Sequence, residues 1–67
     1  MEYTNSQARN AIEEYIHSAR DRTVLVKRLI DGLTYEQIAA DMDMSVRQIK
    51  NIVYRNEDIL FRKIGGK

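Results

Sequence analysis

Three closely spaced side chains have the chemistry needed to contact the edges of DNA bases. The Arg47 guanidinium can bridge O6 and N7 of guanine, and the Asn51 amide can bridge N6 and N7 of adenine. The Val46 side chain can pack against the methyl group of thymine. These residue types predict base contacts from the side of a helix that faces away from its apolar residues Ile49 and Ile52.

A second set of polar side chains is better suited to phosphates, which position a protein on DNA without specifying a sequence. Some of them lie on the same predicted helix as Arg47. The others stand at the predicted starts of two helices, where unpaired backbone N–H groups also favour an anion. The predicted phosphate or mixed contacts are Thr34, Tyr35, Gln37, Ser45, Gln48, Lys50, Tyr54 and Arg55.

The same residues also have simpler interpretations. Arg47 and Lys50 could form an ordinary solvated face, and Val46 could belong partly to the core. Tyr54 could cover the edge of the core instead of touching DNA. Three further cations are predicted to lie on a solvated helix face, with phosphate contact as the alternative: Arg22, Lys27 and Arg28.

The basic residues are concentrated toward the C-terminus. Residues 45–67 carry six Lys or Arg side chains against two acidic ones, whereas residues 1–44 carry five against eight. The formal net charge of +1 hides this asymmetry. A protein that presents one end to a polyanion is expected to have such a distribution.

The composition argues against an enzyme. The chain has no cysteine, so disulfides and thiolate metal sites are excluded, and the single His17 has no second imidazole to share a metal with. The carboxylate pairs Glu13–Glu14 and Asp41–Asp43 are interpreted as surface groups, because so small a domain has little room for a catalytic cleft. We predict no catalytic residue, no metal and no cofactor.

The length of 67 residues predicts a single domain covering residues 1–67. The first ten residues are polar and lack the apolar segment of a signal peptide. No apolar run approaches the length that a membrane-spanning helix needs. We therefore expect a soluble, cytoplasmic protein without membrane contact.

The elements that would position the polar residues are predicted to be helices. The chain contains no proline and only three glycines, and 31% of its residues are charged. The first helix is predicted at 5–20, opened by a capping box of Thr4 and Gln7. Its apolar residues recur at the spacing of one helix face. They are Ala8, Ala11, Ile12, Tyr15, Ile16 and Ala19.

Three more helices follow the first. The second is predicted at 22–31, with Asp21 as its N-cap and Gly32 as a left-handed residue at its end. The third, at 34–42, and the fourth, at 45–56 or longer, each begin with a capping box. These boxes are Thr34 with Gln37 and Ser45 with Gln48.

A link of two residues, Asp43 and Met44, separates the third and fourth helices. So short a link favours the wide crossing angle of a helix-turn-helix. Asp43 is expected in the left-handed conformation, which Asp tolerates better than most residues. The fold class predicted is therefore all-α, a bundle of four helices, or five, that contains a helix-turn-helix.

The C-terminal segment leaves two alternatives open. Either the fourth helix continues to about Lys63, or it breaks at Asn56 and a short fifth element packs back on the first helix. We favour packing within the monomer, because the first helix otherwise lacks cover. In the other case a homodimer could form through the apolar residues of this segment, which are Ile59, Leu60, Phe61 and Ile64.

Residues 22–56 resemble the DNA-binding region 4 of bacterial sigma-70-type factors and the related response-regulator output domains. The matching residues are the runs 31–39 (DGLTYEQIA) and 44–46 (MSV), followed by Ile49 and Lys50. The family usually has glycine where this chain has Asp43. The resemblance implies that Val46, Arg47 and Asn51 approach bases and that Lys50 lies near the DNA backbone.

These observations predict sequence-specific binding of double-stranded DNA in transcription regulation or in sigma-factor-like promoter recognition. The alternative is a helix-turn-helix adaptor that binds RNA polymerase or another regulator without reading DNA. The modest net charge and the apolar residues near the C-terminus favour the adaptor. An enzyme is the third class and the one least supported. The resemblance further suggests a bacterial or phage origin.

Overall fold

The computed structural model describes residues 4–65, with side chains to residue 63. This part of the chain is all-α and contains four α-helices, two of which continue into one widened π-helical turn. The helices are α1 (Asn5–Tyr15), α2 (Ala19–Leu25, continuing as the π-helical Val26–Ile30), α3 (Tyr35–Met42) and α4 (Val46–Leu60, continuing as the π-helical Phe61–Gly65).

Helix α1 starts where the sequence predicts but ends five residues earlier. The Thr4 hydroxyl accepts a hydrogen bond from the Gln7 backbone N–H, and the Gln7 side-chain oxygen accepts one from the Thr4 N–H, so the capping box is confirmed. The helix then ends at Tyr15 instead of residue 20. The backbone of Ile16 is extended (φ −105°, ψ 115°), which turns its side chain into the core.

The predicted cap of the second helix is wrong by three residues. Ser18, not Asp21, is the N-cap of α2, and its hydroxyl accepts a hydrogen bond from the Asp21 N–H at 3.3 Å. The Arg22 guanidinium donates to the carbonyls of Ile16 (2.6 Å) and His17 (3.3 Å). These bonds satisfy backbone groups that a continuous helix would have paired, and they stabilise the break. Ala19, assigned by periodicity to the apolar face of α1, is exposed.

The end of the second helix follows the prediction more closely. Its last turn is widened, since the Asp31 N–H donates to the carbonyl five residues earlier, that of Val26, at 3.0 Å. Gly32 has φ +74°, the left-handed conformation expected at this position. The chain reverses there, and the Leu33 N–H donates to the Lys27 carbonyl at 3.0 Å.

Helices α3 and α4 form the predicted helix-turn-helix. Both capping boxes are present, with Thr34 and Ser45 as the N-caps. Asp43 lies in the left-handed region (φ 56°, ψ 47°), and the Met44 N–H closes the turn on the Ala39 carbonyl at 2.9 Å. The corner therefore reorients the chain within two residues.

Helix α4 is the central element of the core. It contacts α1, α2 and α3, and its residues Ile49, Ile52 and Val53 face inward as expected. The largest fully buried side chains come from all four helices. They are Ile12, Val24, Leu25, Ile38, Ile49, Val53 and Leu60.

Of the two alternatives for the end of the fourth helix, the break at Asn56 is wrong, because α4 runs through to Leu60. Asn56 is buried, and its side-chain N–H₂ group donates to the Asp21 carboxylate (3.1 Å) and to the Ile52 carbonyl (2.8 Å). Its polarity is thus satisfied inside the protein and does not end the helix. Leu60 is fully buried, as packing within the monomer requires, and it cannot serve the homodimer contact proposed from the sequence.

The other residues of the suggested homodimer contact differ in exposure. Ile59 is half-buried against the core, whereas Phe61 is 54% exposed. The side chain of Ile64 lies outside the described residues, as do the last two residues of the chain.

Candidate nucleic-acid interface

The outer face of α4, defined by Arg47 and Asn51, is open to solvent. Both residues are exposed, and within residues 4–63 neither side chain takes part in a hydrogen bond or an ion pair. Positions four apart share one face of a helix, and this face lies opposite the buried Ile49, Ile52 and Val53. Two side chains with bidentate hydrogen-bonding geometry are therefore free for a ligand.

Val46 and Tyr54 border this outer face in different ways. Val46 is half-buried and packs against the core, so only part of its side chain is available. Tyr54 is 56% exposed, one of the two large hydrophobic side chains at the surface of the described residues. Because Val46 packs against the core, the interpretation of this residue as partly core is confirmed.

The side chains of the two capping boxes at the helix-turn-helix already have local partners. The hydroxyls of Thr34 and Ser45 accept from the N–H groups of Gln37 and Gln48 at 3.1 Å. The side-chain oxygens of the two glutamines accept from the N–H groups of the two caps. The hydroxyl hydrogens and the amide NH₂ groups remain as donors at the N-terminal ends of α3 and α4.

A cluster of aromatic and cationic side chains lies on one side of the outer face; we call it the aromatic flank (Arg28, Tyr35, Lys50 and Tyr54). The Arg28 guanidinium lies 4.2 Å from the centre of the Tyr35 ring, and the Lys50 ammonium lies 5.7 Å from it. The Tyr54 ring meets Tyr35 edge to face at 6.3 Å. Contacts of both kinds are favourable and fix ring orientation. Arg28 is further held by donating to the Leu33 carbonyl at 2.9 Å.

Burial raises the pKa of the Tyr35 hydroxyl above its ordinary value. The Tyr54 side chain acts in the same direction, while the positive charge of Arg28 opposes the rise. Tyr35 is therefore a neutral hydroxyl at physiological pH. It can donate a hydrogen bond to a phosphate but cannot repel one.

Two arginines lie on the opposite side of the outer face; with Gln48 they form the arginine flank (Arg20, Gln48 and Arg55). They line a cleft of about 170 Å³ together with Asn51, Met44 and Ile52. The side chains of Arg20 and Arg55 are 56% and 61% exposed. The cleft thus joins a residue of α2 to the outer face of α4.

Sequence reasoning missed Arg20 and placed Arg28 on a solvated helix face, with phosphate contact only as the alternative. Arg20 comes from α2, more than twenty residues before the helix whose face it borders. No signal in the spacing of the residues places it there, since only the packing of α2 on α4 does so. Arg28 reaches Tyr35 because the widened turn and Gly32 fold the chain back at that point.

The described residues contain no group of three or more His, Asp or Glu side chains that could hold a metal ion. None of the described helices is both long and apolar enough to cross a membrane.

The architecture defines the class of the protein. An all-α domain whose third and fourth helices meet at a tight left-handed corner, with an open face on the second of them, is a helix-turn-helix domain. The sequence profile of the family described as sigma-70, region 4, matches residues 18–55. This range starts at the N-cap of α2 and covers α2, α3, the corner and the first ten residues of α4. The chain belongs to the sigma-70 region 4 family of helix-turn-helix DNA-binding domains.

A curated relative comes from Staphylococcus haemolyticus (strain JCSC1435) and is named 2-succinyl-5-enolpyruvyl-6-hydroxy-3-cyclohexene-1-carboxylate synthase. It is 43% identical over 62 residues, which is 91% of this chain but only 11% of the relative. The chain therefore spans about a tenth of the protein that carries this name. No solved structure matches the chain.

Proposed function

We propose that the protein binds double-stranded DNA at a specific sequence, in transcription regulation or promoter recognition. The observation that carries the proposal is the open outer face of α4, where Arg47 and Asn51 stand exposed and without partners among the described side chains. Membership of the sigma-70 region 4 family supports the same function.

In the proposed complex, the first turns of α4 enter the major groove. Arg47 reads a guanine and Asn51 an adenine, and the exposed part of Val46 contacts a thymine methyl. Because Arg47 and Asn51 are four residues apart, they lie about 6 Å apart along the helix axis. That distance is close to the rise of two base-pair steps, so the two side chains reach base pairs about two steps apart.

The two flanks and the helix N-termini contact the phosphates on either side of that groove. Lys50 and Tyr54 act from the aromatic flank, and Arg20 and Arg55 act from the arginine flank. The start of α3 offers unpaired backbone N–H groups and the hydroxyl of Tyr35 to a phosphate. The further donors at the helix starts are those of Thr34, Gln37, Ser45 and Gln48.

A single module of this size reads only a few base pairs, so useful affinity requires a second binding unit. RNA polymerase is the partner that the family suggests, since sigma region 4 domains bind both DNA and polymerase. A homodimer is the other possibility, and it would have to use a surface that does not include Leu60.

The test is a selection from random DNA duplexes followed by affinity measurements on the recovered site. Arg47→Ala and Asn51→Ala should each cost about 1–3 kcal/mol of binding free energy for that site, as the loss of one bidentate base contact does. Arg9→Ala is the matched control, since it removes the same charge from α1, outside the residues matched by the family. A selection that recovers no enriched sequence would refute the sequence-specific function.

A second candidate function is that of an adaptor that binds polymerase or another regulator without reading DNA. The exposed Phe61 ring near the end of α4 favours it, because an exposed aromatic side chain is suited to a protein contact. Titration with duplex DNA at low salt separates the two functions. A DNA-reading domain binds duplex DNA strongly at low salt, and its affinity falls as salt is added. An adaptor shows no binding to DNA even at low salt.

A further inference from the structure

The carboxylate of Asp21 lies at the centre of a network that connects the start of α2 to α4. One of its oxygens lies 3.2 Å from Nε of Arg20. The other lies 3.1 Å from the side-chain nitrogen of Asn56 and 3.5 Å from a guanidinium nitrogen of Arg55. Three side chains from two helices thus converge on one acidic group.

Burial and several hydrogen bonds together fix the position of this carboxylate. The Asp21 side chain is only 9% exposed, and a buried carboxylate is costly unless it is paired and hydrogen-bonded. Asn56 is itself buried and is held by its second hydrogen bond, to the Ile52 carbonyl. The backbone N–H of Asp21 is bound by the Ser18 hydroxyl. A rotation of the carboxylate would leave buried polar groups without partners.

The two arginines in the network differ from Asp21 and Asn56 because most of their surface is exposed. They are anchored at one edge by the carboxylate and open to solvent at the other, and both line the cleft that borders Asn51. A guanidinium carries five N–H donors, so each can keep its bond to Asp21 and still donate to a phosphate.

We infer that Asp21 is a positioning residue, which holds the guanidiniums of Arg20 and Arg55 in place on the arginine flank before DNA binds. This inference rests on the proposed function. Ordering a long side chain on binding costs affinity, and the buried carboxylate removes part of that cost for two arginines at once. Asp21 itself touches no DNA.

The inference predicts an effect opposite in sign to simple electrostatics. A carboxylate near the phosphates repels them, so its removal by Asp21→Asn should strengthen DNA binding if charge alone matters. If Asp21 positions the arginines, the same substitution should weaken binding to the selected duplex by about tenfold, which corresponds to about 1.4 kcal/mol. Binding to a scrambled duplex of equal length should change less.

The matched control is Asp58→Asn. Asp58 is an exposed carboxylate on α4 that pairs with Arg62 at 2.7 Å, so its replacement removes the same charge from the surface without touching the buried network. Asp58→Asn should leave the affinity unchanged or raise it. Urea unfolding of each variant shows how much stability the substitution costs, so that affinity is compared only under conditions where the protein is folded.

A measurement without DNA keeps this inference separate from the proposed function. In NMR spectra of the free protein, the Nε–H groups of Arg20 and Arg55 should be more ordered than that of Arg47, which has no partner among the described residues. Asp21→Asn should bring all three to similar mobility. Equal mobility in the wild-type protein would overturn the inference whether or not the protein binds DNA.

A further variant covers the case in which Asp21→Asn does not fold. Arg55→Lys keeps the charge at an exposed position but loses the planar fork that spans the carboxylate and a phosphate. It should weaken binding to the selected duplex at every salt concentration, and wild-type affinity in this variant would contradict the inference. A wild-type protein that binds no duplex refutes the proposed function, and the role of Asp21 in DNA binding falls with it.

Discussion

The corner between α3 and α4 can be tested by one substitution, Asp43→Gly. Asp43 has φ 56° and ψ 47°, and it is the one non-glycine residue with positive φ in the described part of the chain. For an L-residue the left-handed conformation costs roughly 1–2 kcal/mol, and somewhat less for Asp. Glycine adopts this conformation without that penalty but loses more backbone entropy on folding. The carboxylate also lies at the C-terminal end of α3, where the helix dipole disfavours a negative charge.

These contributions predict that Asp43→Gly stabilises the protein by about 0.5–1 kcal/mol. In a domain of this size 1 kcal/mol shifts the melting temperature by roughly 4–8 °C, so the expected rise is about 2–8 °C. Thermal unfolding followed by circular dichroism measures it directly. The affinity for DNA should be unchanged, because the backbone of the corner keeps the same shape.

The control is Asp41→Gly, the same substitution two residues earlier. Asp41 lies in the last turn of α3, where glycine is a somewhat poorer helix former than aspartate, and its exposed ion pair with Lys27 is lost as well. This variant should melt at a lower temperature than the wild-type protein. If Asp43→Gly also lowers the melting temperature, then Asp43 does not occupy a left-handed corner, and the geometry that exposes Arg47 and Asn51 is called into question.

Three further predictions concern the packing of α4, the N-cap of α2 and the ionisation of Tyr35. Leu60→Ala should cost about 2–5 kcal/mol in urea unfolding because Leu60 is fully buried. By contrast, Phe61→Ala should cost under about 1 kcal/mol, and equal costs would show that the end of α4 is packed differently. Ser18→Ala should cost about 1 kcal/mol as the loss of an N-cap, and a neutral result would favour the longer first helix. Stability should fall as the pH rises above about 10. Folding raises the pKa of Tyr35, so the unfolded chain loses this proton at a lower pH than the folded protein does. A Tyr35→Phe variant whose stability shows the same pH dependence would contradict the prediction.

Local signals in the sequence were sufficient to locate the N-caps Thr4, Thr34 and Ser45. Each capping box needs only two residues three apart, because its hydrogen bonds close within one turn. The left-handed conformations of Gly32 and Asp43 were predictable for the same reason. The break after Tyr15 was not, because the apolar spacing continues through Ile16 and the structure that ends the helix depends on Arg22, six residues away.

The polar residues of the candidate interface also divide into those that local sequence signals predict and those that only the tertiary structure reveals. Arg47 and Asn51 could be chosen from the sequence, since they share one helix face and the spacing of Ile49, Ile52 and Val53 places the apolar face opposite them. Arg20 could not be chosen. It borders the candidate interface because α2 packs on α4, where Asp21 pairs with Asn56, 35 positions later in the chain.

The sequence by itself therefore determined three of the four N-caps, the two-residue corner and the residues on the outer face of α4, because all of these depend on neighbours within one or two turns. The tertiary structure alone decided that α4 continues past Asn56, that Leu60 is buried and that Arg20 and Arg55 share a carboxylate. These features depend on contacts between helices that lie far apart in the chain. A polar residue such as Asn56 ends a helix or sits inside one according to whether another element supplies its hydrogen-bond partner.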